Sequence, residues 1–303
     1  MTSTIAALAP VFALIAVGFL LKLFVFRAES FWDPLEKLTY YVLFPALLVV
    51  SMAQARVSGP VVLPTAGVLA ATMVVILVVL AVLRPALRMD GTAFSSVIQG
   101  SVRFNTYVGL AAAATLYGHQ GTTLLAVVLA LMIPLSNVVS VIALTRHAGA
   151  GASVKGTLIE LATNPLILAS LLGLAMSATG TPLPPFVAPV LDSLGRASLA
   201  LGLLAVGAGL SLGKLASGML PLAVSIMLKL LVSPLLAWLG CRWMGLGSLP
   251  TAIAVLFAAL PPAPSAFILS RRLGGDHALM AAIITIHTIV AAVTLPVILA
   301  LLT

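Results

Sequence analysis

The chain has 303 residues, of which 62% are hydrophobic and only 7% are charged, and its formal net charge is +8. A soluble domain carries about 25% charged residues, so these proportions exclude an ordinary soluble protein. Mean hydropathy is +1.25, and apolar runs of about twenty residues, each long enough to cross a hydrocarbon layer as a helix, recur along the chain. The composition therefore predicts an all-α polytopic membrane protein.

Glycine, proline and charged residues divide the chain into ten predicted membrane spans. In chain order they cover 5–26, 36–54, 61–83, 93–117, 122–145, 157–178, 188–212, 218–241, 249–270 and 277–302. The first apolar run lacks the basic start and the small-residue cleavage site of a signal peptide, so we interpret it as the first span.

Lysine and arginine fall mostly on one side of these ten spans. The loops that follow the odd-numbered spans, with the adjoining helix ends, hold Lys22, Arg27, Lys37, Arg84, Arg88, Arg146, Lys155, Lys214, Arg271 and Arg272. The opposite side holds Arg56 and Arg242. Because basic residues concentrate in cytoplasmic loops, both termini are predicted to lie outside the cytoplasm, in a chain that crosses the inner (cytoplasmic) cell membrane many times. Topology thus explains the basic charge: contact with anionic membrane lipid is secondary, and no nucleic-acid partner is expected.

The two halves of the chain show an offset that predicts an internal repeat. Pro10 and Gly18 in the first span match Pro165 and Gly173 in the sixth, and the third and fourth spans lie about 157 residues before the eighth and ninth. With five spans in each copy, the second copy must enter the membrane in the opposite orientation. Residues 1–150 and 151–303 are therefore predicted to form two inverted five-helix repeats, a plan found in many secondary transporters.

The ninth span contains a predicted break. Residues 259–267 read ALPPAPSAF and place Pro261, Pro262 and Pro264 near its middle. Each proline removes a backbone donor and frees a carbonyl, which costs several kcal/mol in lipid, so the break should face protein or a watery cavity. Its partner by the repeat is SVRFNTYVG, residues 101–109, in the fourth span. Two broken helices crossing at mid-depth would offer backbone groups to a substrate; the alternative is a proline kink that serves packing only.

Arg103 and Lys229 are the basic residues placed deep within predicted spans, and the sequence puts no carboxylate at their depth. Charges at such depth usually mark functional or tightly paired sites, and positive charge without a carboxylate favours an anionic ligand. For Lys229 the alternative is a scaffold role, bonding carbonyls that Pro234 frees. For Arg103 the alternative is anchoring near the membrane interface.

Polar uncharged side chains accompany these cations. Asn105, followed by Thr106, lies at the predicted break and is expected to contact the ligand, because amides within spans usually form hydrogen bonds across helices. Asn137 is expected to be structural, and Asn164 could serve either role. His287 is a candidate proton relay, with a packing histidine as the stronger alternative.

The sequence contains neither HExxH nor a clustered His/Cys metal spacing. Its one GxSxG match, residues 209–213 (GLSLG), lies in a glycine-rich stretch that we interpret as a site of close helix packing. We therefore expect no enzyme activity, no cofactor and no metal site. Without an ATP site, active transport would run on gradients. A negative cell interior favours anion export by about 2.3 kcal/mol per charge per 100 mV, whereas import would need coupling to protons or sodium.

Six stretches, taken in order, resemble the auxin efflux carrier family, in the form of a compact bacterial-type member. They are TYYVLFPALLVVSMA (39–53), RFNTYVGLAAAATLYG (103–118), MIPLSNVVSVIAL (132–144), NPLILASLLGL (164–174), KLLVSPLLA (229–237) and ALPPAPSAFILSRRLGGD (259–276). The resemblance implies the fold of bile acid:sodium symporters, with a scaffold of helices 1, 2, 6 and 7. It implies a moving domain of helices 3–5 and 8–10, with helices 4 and 9 crossing where both are broken. A homodimer through the scaffold is also implied.

The resemblance also implies roles for single residues. Asn105 matches the substrate-contacting asparagine of helix 4, Asn164 lies in the Asn-Pro motif of helix 6, Pro261 matches the crossover proline of helix 9, and Lys229 fits the basic residue of helix 8. One departure is Phe104, which stands where plant carriers have a proline. Helix 4 is therefore expected to bend at Gly109 or to be less fully broken.

Taken together, these features predict a secondary, elevator-type carrier of small organic anions such as auxin-like or mono- and dicarboxylic acids. A passive anion channel, which would need a continuous polar lining, and a non-transporting membrane sensor are the alternatives. The expected substrate-binding residues are Asn105, Arg103, Thr106, Asn164, Pro261, Pro262, Pro264, Ser265 and Lys229.

Overall fold

The computed structural model describes residues 2–53, 59–87, 89–148, 162–163, 165–210 and 219–303, and every regular element in those ranges is helical. Helices α1 to α13 are Thr2–Leu20, Glu29–Leu38, Phe44–Ala53, Gly59–Leu87, Gly91–Val102, Thr106–Ala148, Pro165–Thr179, Ala188–Ala208, Met219–Ile226, Ser233–Trp243, Ser248–Ala258, Ser265–Arg272 and His277–Leu302. The π-helical turn Leu21–Val25 extends α1, Thr39–Leu43 joins α2 to α3, and Met227–Val232 joins α9 to α10. The prediction of an all-α membrane protein is confirmed.

Six of the described helical runs are long and apolar enough to cross a membrane. They are Ala6–Phe24, Val61–Leu87, Gly91–His147, Ala188–Ala208, Met219–Trp243 and His277–Leu302. The run from Gly91 contains the predicted fourth and fifth spans, which divide at Gly118, where φ is 58° and ψ is −150°. Glycine adopts this backbone conformation without the steric cost that a side chain adds. Within the described residues, the second, sixth and ninth predicted spans also contain helices, which are shorter or interrupted.

Helix α4 carries apolar residues on both its buried face and its exposed face. Leu69, Ile76 and Leu80 are buried against the rest of the protein, whereas Val74 and Val78 on the other side are exposed. In a membrane such an outer face meets lipid tails rather than water. The exposed valines therefore cost nothing there, and helix association must rest on close packing instead of on the hydrophobic effect.

Helices α1, α3, α7 and α8 pack together as one group, with glycine at their closest contacts. A Cβ atom on Gly18 of α1 would overlap the carbonyl of Leu204 in α8, and one on Gly207 of α8 would overlap the carbonyl of Ile15 in α1. In the same way, Gly173 of α7 lies directly against α3. Small residues at these points let backbones approach closely enough for dispersion contacts to hold the helices together.

Helices α4, α5, α6 and α9 to α13 form the second group, in which α5 packs on α6 and α10 packs on α11. At one end of this group the helix starts of α5 and α13 lie side by side. Asp90 and Asp276 cap these two helices through their side chains, and Ser96 donates to the Asp276 carbonyl at 2.9 Å. Gly91 also lies against His147 at the end of α6. The starts of α5 and α13 and the end of α6, which the sequence assigns to one side of the membrane, therefore meet.

Candidate functional site

The predicted fourth and ninth spans are both interrupted, and the interruptions touch. Residues 103–105 separate α5 from α6, and residues 259–264 separate α11 from α12. The backbone N–H of Asn105 donates to the carbonyl of Pro261 at 2.7 Å, so a hydrogen bond joins the two breaks. Beside it the rings of Phe104 and Phe257 lie 4.4 Å apart.

The predicted fourth span is broken without a proline, because Asn105 caps the start of a new helix, α6. The side-chain oxygen of Asn105 accepts the N–H groups of Tyr107 at 3.0 Å and Val108 at 3.3 Å, which a helix start otherwise leaves without partners. Arg103 just before it has an extended backbone, with φ −77° and ψ 157°. The expectations of a bend at Gly109 or a less complete break are wrong: Gly109 donates to the Asn105 carbonyl within a regular helix.

A cavity of about 70 Å³ opens beside the crossing. Polar residues that line it are Tyr40, Arg103, Thr106, Ser136, Asn137 and Ser265. A nitrogen of the Arg103 guanidinium donates to the hydroxyl of Ser265 at 3.1 Å, which links the break in helix 4 to the start of α12. Guanidinium, amide and hydroxyl groups of this kind form charge-assisted hydrogen bonds with carboxylates.

Two helix N-termini meet at this cavity. Thr106 is the first residue of α6, Ser265 is the first residue of α12, and both are lining residues. A helix N-terminus carries a partial positive charge and unsatisfied N–H groups, and it attracts anions. The crossing therefore adds two positive helix ends to the charge of Arg103.

The prolines of the ninth span set the backbone of the second break. Pro261 and Pro262 are buried by protein, and Pro264 immediately precedes α12. The Pro261 carbonyl, which the break frees from the helix, is the group that accepts the Asn105 N–H. As a freed carbonyl in a membrane requires, it finds its partner within the protein.

Lys229 lies apart from this cavity. It is 2% exposed, sits in the π-helical turn between α9 and α10, and lines a second cavity of about 20 Å³. Its ammonium group is 5.9 Å from the ring centre of Phe257. Val102 and Ala258, the last residues of α5 and α11, line the same cavity. Helix C-termini carry partial negative charge, so two helix ends and an aromatic face surround this cation instead of a carboxylate.

The second cavity repeats the sequence offset seen between the two halves. Three pairs of its lining residues are each 157 positions apart: Thr72 and Lys229, Ile76 and Ser233, Ser101 and Ala258. Positions that the predicted repeat relates to each other therefore line the same cavity.

His287 does not belong to the cavity at the crossing. It is fully buried in α13, and neither ring nitrogen has a hydrogen-bond partner among the described residues. Its electrostatic interaction is with Lys229. This candidate relay therefore lies outside the lining of both cavities.

Sequence reasoning missed part of the cavity lining. Asn137, expected to be structural, lines the cavity together with Ser136 and Tyr40. An amide within a span was a usable signal for Asn137, whereas nothing local distinguishes Tyr40 from other interfacial tyrosines. Asn164 lies outside the described residues.

Comparison with known proteins gives one family match. No curated protein matches the chain. The family described as "Membrane transport protein" matches residues 3–299, which includes both broken helices and both cavities. The chain therefore belongs to this membrane transport protein family, the auxin efflux carrier family.

Proposed function

We propose that the protein is a secondary carrier that moves small organic anions, such as auxin-like compounds or mono- and dicarboxylic acids, across the cytoplasmic membrane. The observation that carries this proposal is the meeting of Arg103 with the N-termini of α6 and α12 at one cavity. Positive charge from three sources converges there, and no acidic residue lines the cavity among the described residues. That arrangement suits a carboxylate substrate.

In this proposal the substrate carboxylate lies between Arg103 and the hydroxyl groups of Thr106 and Ser265. Asn105 is not itself a lining residue of the cavity, although its neighbours Phe104 and Thr106 are. Its side-chain nitrogen is buried and has no hydrogen-bond partner among the described residues, and in this proposal it donates to the anion when the cavity opens. Asn137 supplies a further polar contact from α6. Since the cavity of about 70 Å³ is smaller than the roughly 300 Å³ of ordinary ligand sites, it holds the carboxylate, and the rest of the substrate requires opening between the two helix groups.

An elevator movement fits the packing of the helices. The group α1, α3, α7 and α8 would be the scaffold, and the group that carries both broken helices would move. The pairs of cavity residues 157 positions apart support an inverted repeat, in which the second cavity lies on the pseudo-two-fold axis. The scaffold is also where we place a homodimer contact.

Lys229 has a supporting role in this scheme. The C-termini of α5 and α11 carry partial negative charge, and the Lys229 ammonium group balances that charge. In this proposal the crossing of the two broken helices lies between the second cavity, which holds the Lys229 cation, and the crossing cavity, which holds the substrate anion. Lys229 would act on the substrate through the position of these helices rather than by contact.

Transport into proteoliposomes tests the proposal with labelled indole-3-acetate, malate and malonate. We expect saturable flux of at least one anion, and Arg103→Gln should weaken its binding about 10- to 100-fold, the equivalent of one charged hydrogen bond of about 1.5–3 kcal/mol. Arg242→Gln, an exposed arginine in α10, is the matched control. Unsaturable flux would indicate a pore instead, and an Arg103→Gln variant with wild-type affinity would contradict the assigned site.

A further inference from the structure

A carboxylate lies close to the crossing cavity but outside the site described above. Glu36 is half-buried on α2, which continues through the π-helical turn into α3. Four and eight positions further on, Tyr40 lines the cavity and the ring of Phe44 stacks on Tyr107 of α6 at 4.4 Å. This spacing places the three side chains along one side of the helix. Because Tyr40 lines the cavity and Phe44 contacts α6, Glu36 lies on the side of α2 that is turned toward the edge of the site.

Partial burial and the acidic groups on its own helix oppose ionisation of Glu36. Asp33 and Glu29 both act on it as like charges. The nearby cation, Lys22, is paired with Glu29, and Lys37 is exposed. Partial burial and nearby like charges both make it easier for a carboxylate to bind a proton.

In the part of the chain that the structure describes, the neighbouring elements give Glu36 no ion-pair partner either, and Arg103 at the crossing cavity donates to Ser265. On α8, which packs against α2, Asp192 and Arg196 pair with each other at 2.6 Å. On α6 and in the π-helical turn, the facing titratable groups are the phenols of Tyr107 and Tyr40. Among the described residues, Glu36 is therefore faced by carboxylates and phenols and paired with no cation.

We infer that Glu36 is a proton-binding site at the edge of the crossing cavity, and that it takes up the proton that accompanies the transported anion. The inference rests on the proposed function, to which it adds the coupling ion. When protonated, Glu36 can donate a hydrogen bond to the phenolic oxygen of Tyr107 or Tyr40; when ionised, it can only accept. Proton uptake thus changes the hydrogen bonding of α2 close to the boundary where α3 of the proposed scaffold packs on α6 of the moving group.

Coupling to one proton also removes an electrical obstacle. A monovalent anion that crosses with a proton carries no net charge, so a negative interior no longer opposes its inward movement. The direction of transport is then set by the pH gradient and by the substrate gradient together.

The first test is the pH dependence of flux in proteoliposomes. Wild-type flux should change by up to about tenfold per pH unit around the midpoint of a single titrating group. Glu36→Gln, which mimics the protonated acid, should make flux independent of pH, and Asp33→Asn should move the midpoint to lower pH by removing a like charge. Asp192→Asn, whose partner is Arg196, should keep the wild-type profile. An unchanged pH profile in Glu36→Gln would overturn the inference.

The second test does not depend on transport. Trp32 lies one helical turn before Glu36, is buried, and donates to the Phe26 carbonyl at 2.6 Å, so its fluorescence reports on α2. In a chain carrying Trp238→Phe and Trp243→Phe, we expect Trp32 emission to titrate with pH and to lose that titration when Glu36→Gln is added. If the wild-type protein moves no anion, the proposed function fails while this measurement still decides the proton site. No titration, or the same titration with Glu36→Gln, would refute it.

Discussion

Asn105 has two separable roles, and two substitutions distinguish them. Its side-chain oxygen caps α6, while its side-chain nitrogen is free to donate. Asn105→Ala removes both groups. Asn105→Ser keeps an oxygen that can cap the helix and removes only the nitrogen. The two variants should therefore differ in stability and agree in substrate binding.

The size of the stability effect follows from the burial of the cap. Asn105 is 1% exposed, so water cannot replace the lost oxygen, and the N–H groups of Tyr107 and Val108 are left without partners. Loss of an N-cap costs about 0.5–2 kcal/mol, and a buried unsatisfied donor places the cost at the upper end, about 2 kcal/mol. At about 2–4 °C per kcal/mol, this lowers Tm by about 4–8 °C for Asn105→Ala. Asn105→Ser should lose less than half of that.

Thermal unfolding in detergent and flux in proteoliposomes read out the two roles. Substrate affinity should fall about 10- to 100-fold in both variants, because each loses one donor to a charged ligand. Equal Tm values for the two variants would refute the capping argument. Wild-type affinity in Asn105→Ser would refute the contact between its nitrogen and the anion.

Two further predictions concern stability. Gly207→Leu should lower the free energy of unfolding by about 1–3 kcal/mol or more, and lower Tm with it, because any side chain there meets the Ile15 carbonyl. Gly67→Leu, at a position with no atom nearby, should be tolerated. Equal losses of Tm in the two variants would contradict the packing argument. The Ala93 N–H bonded to Asp90 lowers the pKa of that carboxyl below its usual 3.8, so the ionised cap stabilises the protein above that pH and the effect is lost as pH falls through the lower folded value. Asp90→Asn keeps a neutral cap, and Tm measured against pH should show wild type losing its advantage over the variant only in that acidic range. The effect should stay below about 1 kcal/mol because the cap is exposed.

Local signals in the amino-acid sequence were enough to predict which segments are helical and where one of them must break. Runs of apolar residues bounded by glycine, proline and charge are local signals, and an apolar helix satisfies its own backbone hydrogen bonds. Pro261, Pro262 and Pro264 exclude a continuous ninth helix for the same local reason. The break at residues 103–105 was expected only through the repeat, because a capping asparagine after an extended residue leaves a weaker signal than proline does.

The grouping of charges around the crossing depends on how distant segments pack, and local signals could not predict it. Arg103 and Ser265 are 162 positions apart, and their hydrogen bond depends on how two half-helices pack. Lys229 and Arg103 look alike in sequence as buried cations, yet one lies at two helix C-termini and the other at two helix N-termini. Glu36 lies outside mid-depth in the sequence, and the stacking of Phe44 on Tyr107 of α6 brings its side of the helix to the edge of the cavity. Electrostatic environment is a sum over neighbours from distant segments, so composition and spacing predict that a residue is buried but not which helix ends and charges surround it.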